Sequence, residues 1–486
     1  MTINKLPQGI EKEATKPFRA EEWAQTAKKV QNFVLSLMAR VEALEAEVAD
    51  LREQVQRNSQ NSSQPPSQDG AADKVTKRKT AKGKGKRGAR YGHSQYRRRL
   101  VPVEQVSEVI VVKPSRCQQC GQTLSGEDGK PRRHQVTELP PFKAETTEYQ
   151  LHRLSCPACQ RSSRAPLPEG VPKGAFGPRL EAIVALLAGR YHLSKRDSRE
   201  LMRDFFNVNI CLGTVSRIEK RCSSAIAGPV EAAKVYVQQQ AACHLDETGW
   251  PELNQRAWLW VAASKRVTVF LIQSSRGAKV AKQLLTEGFK GIVHSDRWSA
   301  YNWLPVGQRQ LCWAHLKRDF QAFAERPGPS AAIGEQLSSQ RKLIFDAWHA
   351  FEAGTRSRAW LQHELLACQE QVAELLRQGS VCSHPKTAGS CRDILKREAA
   401  LWTFIYHDGV LPTNNFAEQQ IRPAVLWRNT SFGTQSEAGS RFVERLMTVV
   451  ATLKLQDRKV LDYLVQACQA AHSNAPPPSL LPLNSS

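Results

Sequence analysis

Three acidic residues, far apart in the chain, have positions that suit metal-dependent chemistry. Asp246 lies in HLDETGW and Asp296 in HSDRWSAYNWL, each directly after a short apolar run. Glu418 lies in NNFAEQQIRP, where Pro412–Asn414 predict the start of a helix. Carboxylate oxygens are the ligands that Mg²⁺ or Mn²⁺ prefers, and two such ions about 4 Å apart suit phosphoryl transfer. An isolated carboxylate is usually a solvated surface group, so the interpretation depends on the elements that bring the three together.

A predicted sheet would bring the two aspartates together. Strands are predicted at Ala242–Leu245, Ala257–Ala263 and Val267–Gln273, then a helix at Ala278–Glu287 and a fourth strand at Gly291–Ser295. This order fits the mixed sheet of a ribonuclease-H-like α/β fold, in which the first and fourth strands are neighbours. We therefore expect Asp246 and Asp296 to lie side by side and Glu418 to reach them from a later helix.

Two CxxC pairs predict a structural zinc site. Cys117 and Cys120 precede a β-rich segment, and Cys156 and Cys159 follow it. Two such pairs separated by a hairpin-length segment are typical of a four-thiolate zinc ribbon, in which no coordination position is left for water. The alternative is a set of ordinary reduced thiols. A polar N-terminus without an apolar signal segment predicts a cytoplasmic protein, where disulfides are rare.

The charge of the chain predicts a polyanionic partner. Lys and Arg total 69 against 46 Asp and Glu, a formal net charge of +23. Residues 74–99 contain twelve of the basic residues and no acid, and we expect Lys77, Arg78, Lys79 and Arg87 to contact DNA. The alternative is a solvated linker. No apolar run approaches the roughly 20 residues that span a bilayer, which makes a membrane the weaker choice.

Residues 175–235 predict a helical DNA-binding domain. One helix runs from Leu193 through Phe205, a turn follows at Asn207–Ile210, and a further helix opens at Gly213. Helix, short turn and helix are typical of a helix-turn-helix. The residues expected to face DNA are Thr214, Ser216 and Arg217. The alternative is an ordinary helical pair that joins two domains.

An apolar repeat near the N-terminus predicts a coiled coil. Its residues alternate in steps of three and four: Val34, Leu37, Val41, Leu44, Val48, Leu51 and Val55. Valine at one seam position and leucine at the other favour a parallel coiled coil of two helices. We therefore expect a homodimer or a higher assembly on DNA. The alternative is an amphipathic helix packed on its own domain.

Over nearly its whole length the chain resembles the transposases of the IS66 family of bacterial insertion sequences. The resemblance rests on the coiled coil followed by NSQNSSQPPSQDG, the double CxxC, HLDETGW, HSDRWSAYNWL, CWAHLKRDF and LPTNNFAEQQIRP. It implies that Asp246, Asp296 and Glu418 form a DDE triad that cuts transposon ends and joins them to target DNA. It also implies a catalytic or stabilising role for His315 of the Cys-x-x-His signature, the alternative being a structural histidine. Accessory proteins of the same element are possible partners.

The helix of Glu418 also carries two predicted phosphate contacts. Arg422 lies four residues after the glutamate on the same helix face, and Arg428 extends the basic character. The chain departs from the family pattern at Gln419–Gln420, where an arginine commonly follows the glutamate, and at Trp427–Asn429, which replaces a more usual Arg-Lys pair. The three carboxylates stay in place.

These inferences predict an α/β protein with the following boundaries: an N-terminal helix and coiled coil (1–57), a disordered linker (58–100), a zinc ribbon (101–165), a helix-turn-helix-like domain (175–235), the first part of a ribonuclease-H-like core (240–320), a helical insertion (321–410), the second part of the core (411–472) and a disordered tail (473–486). The alternative function is that of a domesticated, catalytically silent DNA-binding protein. Another ribonuclease-H-like nuclease and a zinc-dependent scaffold are further alternatives.

Overall fold

The computed structural model describes Trp23, residues 25–56, Ser62, Ser63 and residues 100–482. These residues form two compact units. The first contains residues 231–435 together with the described residues before 64, and the second contains residues 100–230 and 436–480. In the part of the chain that is described, no helix is long and apolar enough to cross a membrane.

The elements follow one another in this order. The helices are α1 (Lys28–Gln56), α2 (Pro178–Gly189), α3 (Lys195–Phe206), α4 (Leu212–Ala225), α5 (Ala227–Gln238), α6 (Ala278–Leu285), α7 (Trp313–Ala324), α8 (Pro329–Glu352), α9 (Arg358–Glu364), α10 (Leu366–Ser380), α11 (Pro385–Leu395), α12 (Thr403–Tyr406), α13 (Asn415–Ser431), α14 (Glu437–Leu455) and α15 (Val460–His472). The strands are β1 (Arg153–Ser155), β2 (Ser162–Arg164), β3 (Ala242–Gly249), β4 (Trp258–Ala263), β5 (Thr268–Gln273), β6 (Ile292–Ser295) and β7 (Arg309–Leu311).

The first unit is built on a mixed five-stranded sheet of order β5-β4-β3-β6-β7. β3, β4 and β5 pair antiparallel, whereas β6 is parallel to both β3 and β7. β4 and β5 are rich in β-branched and aromatic residues and almost entirely buried, as expected of strands covered on both faces. The predicted mixed α/β architecture is confirmed, and the first and fourth strands of this sheet are neighbours.

A helical segment, α7 to α12, lies between β7 and α13. Its apolar side chains form one buried cluster that includes Trp313, Phe320, Leu337 and Leu376. The sequence predicts a mostly helical stretch that includes residues 357–377 and 390–406, and the structure divides each of these ranges into shorter helices. No glycine or proline marks the break at Leu365, which is 1% exposed, so the break follows from tertiary packing.

The second unit contains the hairpin of β1 with β2 and a small helical core. Val184, Met202, Ile210, Val215 and Ile218 bring α2, α3 and α4 together. Its predicted helix, turn and helix are present as α3, a turn and α4. The Ser194 side chain accepts the backbone N–H of Asp197 at the start of α3, and left-handed Asn207 (φ 52°) ends it.

The C-terminal helices differ from the expectation for residues 411–472. α13 packs on β3 and β4, but α14 and α15 pack on α2 and α4 in the second unit. Gly189 allows this close approach, because a Cβ there would overlap the side chain of Leu446. The predicted tail also differs, since Leu480 is 1% exposed and Tyr463 donates its hydroxyl to the Pro478 carbonyl at 3.0 Å.

Helix α1 carries the predicted apolar repeat as one continuous helix. Leu37, Val41, Leu44 and Val48 are between 44% and 52% exposed. At these four residues the helix is therefore not buried against its own domain, which was the alternative. An exposed apolar stripe of this spacing is what a paired helix would cover.

Gly334 marks the closest approach of α8 to α7. A Cβ there would lie 2.2 Å from the Ala324 nitrogen and 2.6 Å from the Phe320 carbonyl oxygen. We expect Gly334→Ala to lower the free energy of unfolding by about 1–3 kcal/mol in a urea titration, because the helices must separate. The matched control is Gly389→Ala in α11, where an added Cβ meets nothing within 4 Å. The control should gain about 0.5–1 kcal/mol, and equal effects at the two sites would contradict this account.

Candidate active site

Neighbouring parallel strands position the two predicted aspartates. His244 of β3 is the register partner of His294 of β6, so Asp246 and Asp296, each two residues further on, lie at the same part of the sheet. Asp296 Oδ1 accepts the backbone N–H of Trp298 at 2.8 Å, which fixes the carboxylate directly after the strand. The sequence-based expectation of their adjacency thus agrees with the register of β3 and β6.

Glu418 lies one turn inside α13 and adds a third carboxylate to an acidic cluster with Asp246 and Asp296. Within the described residues the ligand atoms of these three side chains do not all lie within 4.8 Å of one another. Burial raises the pKa of the Asp246 carboxyl well above its usual range, and the charges of Glu247, Glu418 and Asp296 raise it further. Burial also raises the pKa of Glu418, which Arg318 lowers and Asp296 raises. Burial and nearby negative charge at Asp246 and Glu418 favour a proton or a cation beside them.

The donor set of this cluster fits a hard divalent cation. Its atoms are carboxylate oxygens, which Mg²⁺ and Mn²⁺ prefer. The Glu418 side chain is 41% exposed, so the cluster opens to solvent at the helix. Its three members come from a strand, a loop after a strand and a helix, and holding cations beside a phosphodiester would require them to approach one another more closely.

His315 lies beside the cluster, at the start of α7. Its Nδ1 is 3.7 Å from Glu418 Oε1, is enclosed and has no hydrogen-bond partner among the described residues. Burial, helped by the Arg318 charge, lowers the pKa of His315 to about 4, so the ring is neutral near pH 7. The Cys312 thiol, His315 and Glu418 offer ligand atoms within 4.8 Å of one another.

Cys312 is a poor metal ligand despite this proximity. Burial raises the pKa of its thiol to about 11, and its sulfur already accepts the backbone N–H of Asn414 at 3.1 Å. The sequence argues against a metal at Cys312 and His315, because no second pair of ligands is near them in the chain. It does not predict that Glu418 lies beside them in the fold. The only signal was the Cys-x-x-His spacing at a helix start.

Sequence reasoning also misses a clamp around Glu247, whose side chain is 2% exposed. Its carboxylate accepts Arg276 Nε at 2.8 Å and the Tyr301 hydroxyl at 2.5 Å. The Arg276 guanidinium lies over the rings of Trp258 and Trp298, 4.7 and 4.2 Å from their centroids. Trp298 also donates its indole N–H to the Arg276 carbonyl. The clamp therefore connects the strand of Asp246 to the loop of Asp296.

The predicted phosphate-binding arginines of α13 differ from each other. Arg422 is exposed. Arg428 is half-buried, and its Nη1 donates to Thr248 Oγ1 at 2.6 Å and to the Gly249 carbonyl at 2.5 Å. The structure thus uses Arg428 to hold α13 on β3, whereas Arg422 faces solvent.

The other predicted DNA contacts lie in the second unit or outside the described residues. On α4, Ser216 and Arg217 are exposed, and Arg217 Nη2 donates to Thr214 Oγ1 at 2.9 Å. Lys195 of α3 donates to Ser216 Oγ at 2.8 Å, so basic and hydroxyl groups share this face. The predicted contacts outside the described residues are Lys77, Arg78, Lys79 and Arg87.

The four predicted zinc ligands form two turns of the same construction. The N–H of Gly121 bonds the Cys117 carbonyl at 2.9 Å, and the N–H of Gln160 bonds the Cys156 carbonyl at 2.8 Å. Gly121 and Gln160 both have positive φ, 72° and 58°. Within residues 100–482 the four sulfurs do not gather into one group within ligand reach.

Backbone N–H groups stabilise a thiolate in each turn. The N–H of Cys120 is the largest cause of the lowered pKa of Cys117, and the N–H of Cys159 has the same effect on Cys156. Such N–H···S bonds within a CxxC turn favour the anionic sulfur that a metal requires.

Comparison with known proteins identifies the region that carries this site. A family model described as "Transposase IS66 family" matches residues 173–441, a range that includes Asp246, Asp296 and Glu418. A second model, a family of unknown function (DUF6444), matches residues 14–99.

Two curated proteins of Sinorhizobium fredii (strain NBRC 101917 / NGR234) are similar to the chain. "Uncharacterized protein y4qI" is 28% identical over 250 residues, which cover 46% of each chain. "Uncharacterized protein y4hP" is 20% identical over 392 residues, 72% of this chain and 69% of that protein. The match thus spans about half the length of the first relative.

The raised pKa of Asp246 predicts a stability effect in the absence of divalent ions. A folded-state pKa above the ordinary value of 3.8 means that this group stabilises the fold at low pH, and that the contribution is lost as pH rises through the folded pKa. In chelator at pH 7 to 8, Asp246→Asn should therefore be more stable than the wild type by about 1–3 kcal/mol.

The measurement is a series of urea titrations in EDTA from pH 8 down toward the ordinary value of 3.8, where the difference should vanish. The matched control is Asp408→Asn, whose side chain is 95% exposed and which should show no such gain. A variant that is no more stable than the wild type at pH 8 would contradict the burial of an uncompensated charge.

Proposed function

Because the chain belongs to the IS66 family of transposases, we propose that it is a DNA transposase whose Asp246, Asp296 and Glu418 hold two Mg²⁺ or Mn²⁺ ions. The observation that carries the proposal is the pairing of β3 with β6, which sets Asp246 and Asp296 at the same part of the sheet, with Glu418 near enough for its charge to raise the pKa of Asp246. The order of β3, β6 and α13 around them supports a ribonuclease-H-like core.

The catalytic residues act mainly by position. Asp246 and Asp296 would bind the ions from β3 and from the loop after β6, and Glu418 would bind them from α13. The ions, when bound, supply the positive charge that in-line displacement at a phosphodiester requires. Neutral His315, whose enclosed Nδ1 lies 3.7 Å from Glu418 Oε1, is placed to stabilise the position of that carboxylate.

DNA binding is supported by charge and by two exposed faces. The net charge of +23 favours a polyanion through counterion release. In the second unit, Ser216 and Arg217 lie exposed on the second helix of a helix, turn and helix. In the first unit, exposed Arg422 lies one turn from Glu418 on α13 and is positioned to bind a backbone phosphate.

We propose a structural Zn²⁺ at Cys117, Cys120, Cys156 and Cys159. The two turns have the same hydrogen bonds and the same positive φ after the second cysteine, which is how CxxC pairs present sulfur to zinc. Four thiolates have no reason to gather without the ion, because they repel one another. Metal binding would therefore complete the fold of this region.

Self-association is supported by α1. Its exposed leucine and valine stripe has the spacing of a two-stranded coiled coil, and pairing would remove that stripe from water. We propose that two chains associate in this way and so hold two transposon ends in one complex.

The catalytic proposal predicts that Asp246→Asn, Asp296→Asn and Glu418→Gln each reduce strand cleavage of transposon-end DNA at least about 100-fold. Each substitution removes a charge that holds the cations but leaves the DNA-binding faces intact. The measurement is cleavage of labelled end DNA in Mg²⁺ or Mn²⁺, with the DNA dissociation constant measured in parallel.

Asp408→Asn is the matched control, since it removes an exposed carboxylate of the same unit. It should cut like the wild type. Near-normal cleavage by any triad variant would remove that residue from the active site. A wild type that binds end DNA but never cleaves it would favour the catalytically silent alternative.

The zinc proposal predicts about one Zn²⁺ per chain by elemental analysis of the purified protein. Cys156→Ser should lose most of that zinc, because three sulfurs bind it more weakly than four. Cys382→Ser is the matched control, a half-buried cysteine of the first unit whose loss should leave the zinc content unchanged. Unchanged zinc in Cys156→Ser would refute the assignment of these ligands.

A further inference from the structure

Two histidines occupy equivalent positions beside the two aspartates. His244 and His294 each lie two residues before an aspartate, and they are register partners on β3 and β6. Their rings stack, with centroids 3.8 Å apart and planes inclined by 12°. Both are buried, at 7% and 0% exposure, which is uncommon for imidazoles that hold no charge partner.

Each histidine forms a hydrogen bond with the segment that precedes α13, and the two histidines use different ring nitrogens for it. The Asn414 amide donates Nδ2–H to the Leu245 carbonyl at 2.6 Å, so its Oδ1 faces His244 Nδ1 at 3.1 Å and accepts a hydrogen bond from that N–H. His294 Nε2 instead accepts the backbone N–H of Leu411 at 3.0 Å. His244 therefore acts as a donor at Nδ1, and His294 acts as an acceptor at Nε2.

These bonds fix the anchor segment (Leu411–Asn414) to both aspartate-bearing strands. Two further bonds join it to the start of α7, where Trp313 donates its N–H to the Pro412 carbonyl and Asn414 donates its N–H to the Cys312 sulfur. α13 begins at the next residue, and the N–H of Glu418 bonds the Asn414 carbonyl at 3.3 Å. The location of Glu418 thus follows from the anchor segment.

We propose that His244, His294 and Asn414 are positioning residues that set the distance of Glu418 from Asp246 and Asp296. This inference rests on the proposed function, because it assigns to these residues the geometry of the metal-binding carboxylates. An apolar pair could fill the same space between the strands, but it could not bind both Oδ1 of Asn414 and the N–H of Leu411. His244 Nδ1 and His294 Nε2 are directed at the anchor segment, and His294 Nδ1 is directed at the Cys243 carbonyl.

The different nitrogens allow a crossed substitution test. Asparagine places an N–H near the position of Nδ1, and glutamine places an oxygen near the position of Nε2. We expect H244N to retain the bond to Asn414 and H244Q to lose it. At the other histidine the order reverses, with H294Q retaining the bond to Leu411 and H294N losing it. All four variants lose the ring stack, so each pair is its own matched control.

Two readouts follow each full-length variant. The first is hydrogen exchange of the Leu411 amide, which we expect to be about tenfold faster in H294N than in H294Q, the effect of one lost hydrogen bond. The second is Mn²⁺ affinity measured by the paramagnetic resonance of free Mn²⁺. We expect affinity to be about tenfold weaker in H244Q than in H244N and in H294N than in H294Q. N414A, which leaves both rings in place, should weaken Mn²⁺ binding similarly and serves where a histidine variant folds poorly.

The outcomes separate the two proposals. The inference is overturned if the two variants of each pair have equal Leu411 exchange rates and equal Mn²⁺ affinities, or if the same amide residue binds Mn²⁺ more tightly at both positions. Either result means that the histidines only fill the core. Exchange that follows the crossed order without a change in Mn²⁺ affinity overturns it too, because the anchor then does not position the ligands. Failure of the wild type to bind Mn²⁺ and to cleave DNA overturns the proposed function itself, whereas the exchange readout still reports on the anchor.

Discussion

The main constraint on the candidate site is that three carboxylates must be brought near one another in a partly buried place. Burial, and to a lesser extent neighbouring charges of the same sign, oppose the ionised carboxylates, and the raised pKa values of Asp246 and Glu418 express that opposition. The elements around the site overcome it by rigid positioning: parallel pairing of β3 with β6, and α13 laid across β3 and β4. Arg428 and the Glu247–Arg276 clamp use strong polar bonds for the same purpose.

Local patterns in the sequence were sufficient to predict most of the sheet. Alternation and β-branched runs placed β3 to β6 within a few residues of their observed ends, apart from the extension of β3 to Gly249, and the order of these strands placed Asp246 next to Asp296. Glu418 was identified by a helix-start signal and by the family resemblance. These features depend on residues that are close in sequence or on one recurrent strand order.

Other features depend on contacts between distant residues, which no local pattern encodes. The sequence around Arg276 predicts only a loop residue, and the contacts of its guanidinium with the Trp258 and Trp298 rings are visible only in the structure. His244 and His294 lie 50 positions apart, and only the register of two strands stacks them. Arg428 looked like a phosphate contact because its partners, Thr248 and Gly249, belong to another element. The same holds for α14 and α15, whose apolar faces fit more than one core.

The order of elements along the chain has a consequence during synthesis. A ribosome releases both aspartates well before Glu418, with the helices α7 to α12 in between, and the second unit receives α14 and α15 last. Domains fold as their final elements emerge, so neither unit can be complete until the last quarter of the polypeptide is made. A nascent or prematurely terminated chain that ends before α13 therefore lacks the element that carries Glu418, so it cannot assemble the candidate site.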